Sequence, residues 1–282
     1  VIIFLRENTN NKVRGRKDIE NLSLPFVGEI PLKTDAGKNK STHTNKSIVI
    51  KQGSRDIINE AFRVLRTNLE FMLDAKIENK ASVTLFTSFN PGSGKSFLTM
   101  NTAATFAMKG KRILVIDGDL RRGSASAYLG SQHKGLSDYL GKRESCLDAL
   151  VQENPDIPGF FLLPAGTIPP NPTELLAEPL FKETIEQLRG HYDYILIDCP
   201  PIDIVADTQI IEKLADRTVF VVRAGLLERD MLSELQRMYD EKRFKNMALL
   251  LNGTEGGGNR YGYRYGYKYG YKYGYGSKNY YK

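Results

Sequence analysis

The amino-acid sequence predicts an α/β fold, in which a mostly parallel, doubly wound sheet is flanked by helices. Short aliphatic runs recur along the chain, and they are continuous, as expected for strands that are buried on both faces. Stretches with helical periodicity separate these runs, which is typical of a parallel sheet. The 282 residues, 41% of them hydrophobic, are enough for one large domain with appendages.

The predicted elements begin with a helix at about 55–76, because apolar residues recur there at spacings of three and four. These residues are Phe62, Leu65, Leu69 and Met72. The first predicted strand is followed by a glycine turn and a second helix at about 95–108. Six strands are predicted, at 82–88, 112–119, 160–166, 192–201, 217–224 and 247–253.

The net charge of +7 is concentrated at the two ends of the chain. Residues 1–51 contain ten Lys and Arg against five Asp and Glu, and the residues after Glu255 contain six Lys and Arg and no acid. The region between them therefore carries a net charge of −4. Basic flanks suit an anionic membrane surface or a nucleic acid. The two cysteines, Cys146 and Cys199, and three scattered histidines show no metal-ligand spacing or disulfide framework, which favours a reducing cytosol.

The first residues, "VIIFLRENTNNKVRGRK", combine five apolar residues with a basic run. A bilayer span needs about 20 apolar residues. We interpret the five as the last turn of a span whose remainder is absent from this sequence, followed by the cationic excess of a cytoplasmic flank. A buried strand with a polar loop after it is the alternative. The polar, aperiodic residues 33–47 are predicted to be a linker.

The segment "TLFTSFNPGSGKSFLTMNTAA" has the order strand, turn, helix. Backbone N–H groups at such a helix N-terminus can surround a phosphate chain, and here they belong to Gly92, Ser93, Gly94, Lys95 and Ser96. Lys95 would reach the β- and γ-phosphates, and the Ser96 hydroxyl would bind Mg²⁺. The first glycine of the usual pattern falls at Phe89. A helix that only happens to begin with Gly-Lys-Ser is the alternative.

Carboxylates stand at the ends of two further predicted strands. "ILVIDGDLRR" places Asp117 and Asp119 there, and "ILIDCPP" places Asp198. Because ligands of an open α/β sheet bind beyond the carboxyl ends of its strands, we expect these carboxylates to meet Lys95 and Ser96. Carboxylates at that place can ligate Mg²⁺ directly or through water, and one can take a proton from an incoming hydroxyl. A helix N-cap is the alternative for any single one of them.

The set of motifs resembles the bacterial tyrosine kinases (BY-kinases), the autophosphorylating kinases of capsule and exopolysaccharide production. "PGSGKS", "ILVIDGDLRR" and "ILIDCPP" look like the family's Walker A, Walker A′ and Walker B motifs. "LPAGTIPPNPTELL" (163–176) is similar to the family's signature after the third motif strand, and "LPFVGEIP" (24–31) is similar to its juxtamembrane segment. The resemblance covers essentially the whole chain and implies a P-loop NTPase-type fold with ATP and Mg²⁺ bound.

The resemblance also implies catalytic roles. Lys95 would neutralise the transferring phosphoryl group, and Asp117 would be the base for the acceptor phenol. Ser96 and Asp119 would help to hold Mg²⁺, and Asp198 would complete the metal shell through water.

Further roles are implied outside this catalytic group. Arg121, in the Walker A′ motif, would contact phosphate or a neighbouring subunit. Asn252, after the last strand, is positioned like residues that read adenine in related P-loop ATPases, and Phe97 belongs with the nucleotide-binding residues. The family's E-x-x-R-x-x-R helix, used in ring assembly, corresponds to Glu60, Arg63 and Arg66.

The run "YGYRYGYKYGYKYGYG" (261–276) alternates tyrosine with Gly, Arg and Lys. A period of two is typical of a strand, but five of these 16 residues are Gly and the charge is positive, which favours disorder. By resemblance the phenols are phosphoacceptors on a flexible tail. They are Tyr261, Tyr263, Tyr265, Tyr267, Tyr269, Tyr271, Tyr273, Tyr275, Tyr280 and Tyr281.

The expected organisation is a juxtamembrane segment and linker (1–51), a P-loop tyrosine kinase domain (52–255) and a phosphoacceptor tail (256–282). The implied function is ATP-dependent autophosphorylation of the tail in trans, which regulates capsule or exopolysaccharide polymerisation and export. The implied partners are further copies in a ring-like homo-oligomer, the inner membrane at its cytoplasmic face and a cognate tyrosine phosphatase, with no nucleic acid expected.

Two other interpretations stay open on the residues. A partitioning or cell-division-site ATPase shares the Asp-x-Asp and Asp-x-Pro-Pro motifs, but its loop resembles "KGGxGK[ST]", and the lysine that crosses to the partner subunit is Asn90 here. A nucleic-acid-binding protein could use tyrosines to stack bases and Arg and Lys to neutralise phosphates. Salt-sensitive binding of single strands by the isolated tail would identify that class.

Overall fold

Eight strands form the sheet of this protein. The computed structural model describes residues 11–32, 48–72, 80–130, 134–202 and 206–255. The strands within them are β1 (Phe26–Pro31), β2 (Ser82–Thr87), β3 (Ile113–Asp117), β4 (Gln152–Glu153), β5 (Phe160–Leu163), β6 (Tyr194–Asp198), β7 (Arg217–Arg223) and β8 (Ala248–Thr254). Their order is β1-β8-β7-β2-β6-β3-β5-β4, and every pairing is parallel except that of β4 with β5.

Helices connect these strands and cover both faces of the sheet. They are α1 (Arg16–Ile19), α2 (Ile57–Met72), α3 (Lys95–Ala107), α4 (Leu136–Leu140), α5 (Pro172–Ala177), α6 (Pro179–Arg189), α7 (Asp207–Glu212) and α8 (Met231–Asp240). Two short 3₁₀ helices span Ser126–Leu129 and Asp148–Leu150. The predicted fold class is confirmed, and all six predicted strands are present.

The strands are buried on both faces, which explains their continuous aliphatic sequences. On one face, α2 and α3 pack against the sheet through Phe62, Leu98 and Phe106. On the other face, α6 packs through Phe181 and Ile185. The parallel strands therefore all direct their carboxyl ends to one edge between two helical layers.

Helix α2 begins after Asp56, as the apolar spacing of the sequence predicts. The Asp56 carboxylate accepts hydrogen bonds from the side-chain and backbone N–H groups of Asn59, and these bonds lower the pKa of Asp56 to about 2. Phe62, Leu65 and Leu69 are buried on the inner face of the helix. The described helix ends at Met72, whereas the prediction extended to about 76, and residues 73–79 lie outside the described part of the chain.

The segment that precedes the predicted linker contributes an edge strand to the same sheet. β1 lies beside β8, and Val27 and Ile30 are buried in the cluster that includes α2. Further upstream, the N–H of Val13 donates to the carbonyl of Leu227, and the carbonyl of Val13 accepts from the N–H of Gly225. The flank predicted at 1–51 therefore includes residues that pack as part of the α/β unit.

Three predicted regions lie outside the described residues. They are the apolar start within 1–10, the linker 33–47 and the tyrosine-rich tail 256–282. Among the helices that the structure describes, none has the length and apolar character needed to cross a membrane.

Candidate functional site

The glycine turn between β2 and α3 forms a cradle of backbone N–H groups. Gly92 and Gly94 both have a positive φ, +76° and +89°, which brings successive N–H groups to the N-terminus of α3. The Ser93 hydroxyl donates to the carbonyl of Asn90 at 2.7 Å and closes the turn. Lys95 is the first residue of α3, as the sequence predicts. The arrangement suits an anion, because the helix N-terminus is also the positive end of its dipole.

Lys95 lies inside this cradle and is largely buried, with 9% of its surface exposed. Its ammonium group donates to the hydroxyl of Ser88 at 3.2 Å. Burial lowers the pKa of Lys95, and the negative charges of Asp198 and Asp119 oppose that effect. A hydroxyl and nearby carboxylates thus hold the Lys95 ammonium group in place, where it can bind an anion.

Asp198 ends β6 beside Ser96. The Ser96 hydroxyl donates to Asp198 Oδ2 at 2.5 Å, whereas Asp198 Oδ1 is buried and has no hydrogen-bond partner. Burial and the neighbouring Asp117 raise the pKa of Asp198 to about 8. A carboxylate oxygen without a partner in the interior is costly unless a cation or donor is supplied.

Asp117 and Asp119 follow on the adjacent strand, where Asp117 is directly opposite Asp198. Asp117 is completely buried, and burial raises its pKa to about 6. Asp119 is nearly buried, and burial raises its pKa as well. Asp119 Oδ1 accepts from the backbone N–H groups of Arg121 and Arg122. The structure therefore brings together the three carboxylates, Lys95 and Ser96, as expected.

The side chains at this edge fit a Mg²⁺ ion that is shared with phosphate oxygens. Among the described residues, no three His, Cys, Asp or Glu side chains gather into a metal site of their own. Mg²⁺ in nucleotide sites needs only one or two protein groups, because phosphates and waters supply the rest. Ser96 Oγ and the unpartnered Asp198 Oδ1 are oxygen donors of that kind, and the Asp119 carboxylate lies in the same charge cluster.

The Arg121 side chain is held away from the glycine turn. Its Nε donates to Asp207 Oδ2 at 3.0 Å, and its Nη2 donates to Thr173 Oγ1 at 2.9 Å. Thr173 Oγ1 in turn donates to Asp207 Oδ1 at 2.6 Å, and Asp207 is completely buried. Arg121 therefore links the Walker A′ turn to α5 and α7, and its predicted contact with phosphate or a neighbouring subunit stays a prediction.

Two phenylalanines near the turn have packing contacts. Phe89, where the usual pattern has glycine, packs edge to face on Phe220, with ring centroids 4.8 Å apart. Phe97 packs on Phe62 with centroids 5.9 Å apart. The Phe97 ring therefore packs against α2, and the nucleotide role predicted for Phe97 stays a prediction.

Asn252 contacts the glycine turn directly. Its Nδ2 donates to the carbonyl of Ser93 at 2.8 Å, so that the end of β8 is attached to the turn. Arg223, its partner across the β7–β8 pair, donates from Nη1 to the carbonyl of Gly92 at 3.3 Å. Asn252 therefore lies at the site, and its contact with adenine stays a prediction.

Glu60, Arg63 and Arg66 lie on α2, outside this site. Glu60 and Arg63 form an ion pair, and Arg63 also donates to the carbonyl of Ser54. Arg66 donates to the carbonyl of Thr105 at 3.1 Å and so connects α2 to α3. Their role in assembly stays a prediction, and the phosphoacceptor tyrosines lie outside the described residues.

Sequence reasoning missed three residues of the site. Arg223 ends the buried strand β7 at the carboxyl edge of the sheet. The aspartates were identified because ligands bind beyond the carboxyl ends of strands, and the same argument would have identified Arg223. Ser126, whose hydroxyl donates to Asp117 Oδ2, and Asp207 had no such signal. Ser126 follows a turn whose path depends on tertiary contacts, and Asp207 lies in a helix with no motif of its own.

Comparison with known proteins identifies the family. A family model described as an AAA domain matches residues 82–241. The tyrosine-protein kinase YwqD of Bacillus subtilis (strain 168) is 32% identical over 219 residues, which cover 77% of this chain and 90% of that protein. The tyrosine-protein kinase Wzc of Salmonella typhimurium is 32% identical over 262 residues, but these cover only 35% of Wzc and 89% of this chain.

A solved structure indicates the same family. The kinase domain of the Escherichia coli tyrosine kinase ETK has a TM-score of 0.74 and 30% identity, and the match covers 90% of this chain and 100% of that domain. Sequence, fold and the arrangement of the three motifs therefore agree, and the chain belongs to the bacterial tyrosine-protein kinases.

Proposed function

We propose that this chain is an ATP-dependent protein-tyrosine autokinase that phosphorylates its C-terminal tyrosine cluster in trans and thereby regulates capsule or exopolysaccharide polymerisation and export. The observation that carries the proposal is the buried cluster at the N-terminus of α3. There an ammonium group, a hydroxyl and three carboxylates meet at one edge of the sheet, and Asp198 Oδ1 has no partner.

The residues of the cluster divide the chemistry among them. The glycine turn binds the phosphates of ATP through backbone N–H groups, and Lys95 neutralises charge on the transferring phosphoryl group. Asp117 takes the phenolic proton as the new bond from the tyrosine oxygen to the γ-phosphorus forms. The bond from that phosphorus to the bridging oxygen breaks, and ADP leaves with its electron pair. Ser96, Asp119 and Asp198 would hold Mg²⁺, which would supply further positive charge to the phosphates.

The course of the last strand supports the tail as acceptor. β8 is parallel to its neighbours and ends at Thr254, so that the chain leaves the sheet at the edge where the catalytic cluster lies. The 20 residues from Gly256 to Tyr275 could extend to about 66 Å, with a relaxed span of about 25 Å. That reach is sufficient for a tyrosine of one copy to enter the site of another.

The outer side of α2 supports assembly of several copies. Large apolar side chains recur at every seventh residue and are exposed, namely Ile57 (76%), Val64 (44%) and Phe71 (72%). The Glu60–Arg63 ion pair lies on the same helix. An exposed apolar stripe beside charged residues is typical of a protein–protein interface. We propose that this side of α2 is the ring interface.

The proposed location is the cytoplasmic face of the inner membrane. The basic residues of the N-terminal flank favour an anionic surface, and this chain spans about a third of the length of relatives such as Wzc. A cognate tyrosine phosphatase would restore the unmodified tail, since phosphate esters of this kind need a second enzyme for removal.

The proposed activity is tested by incubation with Mg²⁺ and ATP, followed by mass spectrometry of the tail. Lys95→Met should lower tail phosphorylation by about 10²–10³-fold while the fold is retained, because one charge-stabilising contact is lost. Lys109→Met is the matched control, since Lys109 follows the same helix but pairs with Glu70 at the surface. Near wild-type modification in the Lys95→Met variant would show that this site does not transfer the phosphoryl group.

A further inference from the structure

Ser126 lies at the centre of a hydrogen-bond chain behind the catalytic cluster. Its backbone N–H and its hydroxyl both donate to Asp117 Oδ2, each at 2.6 Å. The Ser126 Oγ itself accepts from the backbone N–H of Ala165 at 2.7 Å. Because the Ser126 oxygen accepts a bond from Ala165, the proton of the Ser126 hydroxyl points to Asp117.

The local fold places Ser126 there. After Asp119 the chain turns back, with the N–H of Gly123 donating to the Asp119 carbonyl at 2.8 Å and Gly123 at a φ of +58°. This turn leads into the 3₁₀ helix that begins at Ser126. Ala165 is buried just after β5, so that a third segment of the chain holds the Ser126 hydroxyl, which in turn donates to Asp117.

These contacts make the two oxygens of Asp117 different. Oδ2 accepts two short bonds from Ser126, whereas Oδ1 accepts one long bond, 3.3 Å, from the N–H of Asp119. A carboxylate oxygen has about two lone-pair sites. Oδ2 is thus fully used, and Oδ1 keeps capacity for one more partner.

Asp117 also lies among several charged or ionisable groups. Asp119 is on its own turn, Asp198 and Cys199 are on the neighbouring strand segment, and Lys95 faces the carboxylates from α3. Repulsion from the other carboxylates would favour rotation of the Asp117 side chain. The two bonds from Ser126 oppose that rotation.

We propose that Ser126 is a positioning residue for phosphoryl transfer, which fixes Asp117 Oδ2 so that Oδ1 is the atom that accepts the phenolic proton. The inference rests on the proposed function. Ser126 does not touch ATP or the acceptor in this role, and acts only through Asp117.

The first test is Ser126→Ala in the full chain, with kinetics of tail phosphorylation as the readout. The hydroxyl is lost and the backbone N–H stays, so that kcat should fall about tenfold, the effect of losing one hydrogen bond to a charged group. KM for ATP should stay within about twofold, because the phosphate cradle is untouched. Ser126→Thr keeps the hydroxyl and should restore most of kcat. Ser124→Ala, in the same turn, is the matched control and should leave kcat unchanged.

The second test separates positioning from a purely structural role. In an Asp117→Asn background, which keeps a low rate measurable with radiolabelled ATP, Ser126→Ala should have no further effect on kcat. A kcat of Ser126→Ala equal to that of the wild type, or an equal loss in both backgrounds, would overturn the inference. Failure of the wild-type chain to label its tail would instead reject the proposed function, and this inference with it.

Discussion

Asn252 and Ser93 are 159 residues apart in the sequence, and the side chain of the first donates to the backbone carbonyl of the second at 2.8 Å. Arg223 makes a parallel contact with Gly92 from the neighbouring strand. The glycine turn is therefore held from the β7–β8 side before any nucleotide arrives. This contact also crowds the position of Gly94, just before α3.

Gly94→Ala should weaken ATP binding, because the Asn252 side chain must move and release the glycine turn. Gly94 has a φ of +89°, and a methyl group there would lie 2.3 Å from Asn252 Nδ2. Gly110→Ala is the matched control, because Gly110 has a φ of +84° but nothing within 4 Å of the added carbon. The control should lose only about 1 kcal/mol of unfolding free energy from backbone strain and bind ATP normally. Equal nucleotide affinity of the two variants by calorimetry would contradict the steric argument.

Asp198→Asn should stabilise the nucleotide-free protein, and more so at pH 8 than at pH 5. The folded-state pKa of Asp198, about 8, is above the ordinary value near 3.9. Between these values the folded state holds a proton that the unfolded state lacks, so the unfolding free energy falls as pH rises from about 4 to 8. Asn does not titrate, so the unfolding free energy of the variant does not fall in this way. Each 1 kcal/mol should appear as about 2–4 °C in Tm by scanning calorimetry. A Tm difference that is the same at both pH values would refute this account.

Replacement of Glu60, Arg63 and Arg66 with Ala should leave a folded chain that assembles poorly and phosphorylates its tail more slowly. The Glu60–Arg63 pair contributes only about 0.2–0.5 kcal/mol within one chain. Arg63 and Arg66 also donate to backbone carbonyls of their own chain, so the test is a loss of assembly in a variant that stays folded. The matched control is Ala at Glu234 and Arg237, an ion pair of the same spacing on α8. Light scattering should show smaller particles only for the α2 variant. An unchanged particle size would remove these residues from the interface.

Phosphorylation of the tail should dissociate the assembly. Each phosphate adds about −1.5 to −2 charges at neutral pH. Four of them balance or outweigh the six cations that follow Glu255, and five make the tail anionic. Neighbouring tails would then repel each other, more strongly at low ionic strength. Sedimentation of phosphorylated and dephosphorylated samples in low and high salt measures the effect. The same mass for both samples in low salt would exclude charge repulsion as the switch.

The central strands and the catalytic cluster were predictable because both depend on local patterns. Asp117 and Asp198 end continuous aliphatic runs, and parallel strands bring such ends together by geometry alone. β1 was not predicted as part of the sheet, because it is short, includes Pro31 and pairs with a strand more than 200 residues away. Ser126 could not be found either, since its role depends on the turn that returns it to Asp117.

Because β1 pairs with β8, it cannot join the sheet until β8 has been synthesised. Phe26 lies opposite Leu249, which follows it 223 residues later. At about 5–20 residues per second, β1 waits roughly 11–45 s on the ribosome for its partner. During that time the edge of β1 that pairs with β8 is open to other chains. β8 is made immediately before the tyrosine-rich residues, so that a chain cut short before β8 has an unprotected strand edge and lacks the tyrosines proposed as acceptors.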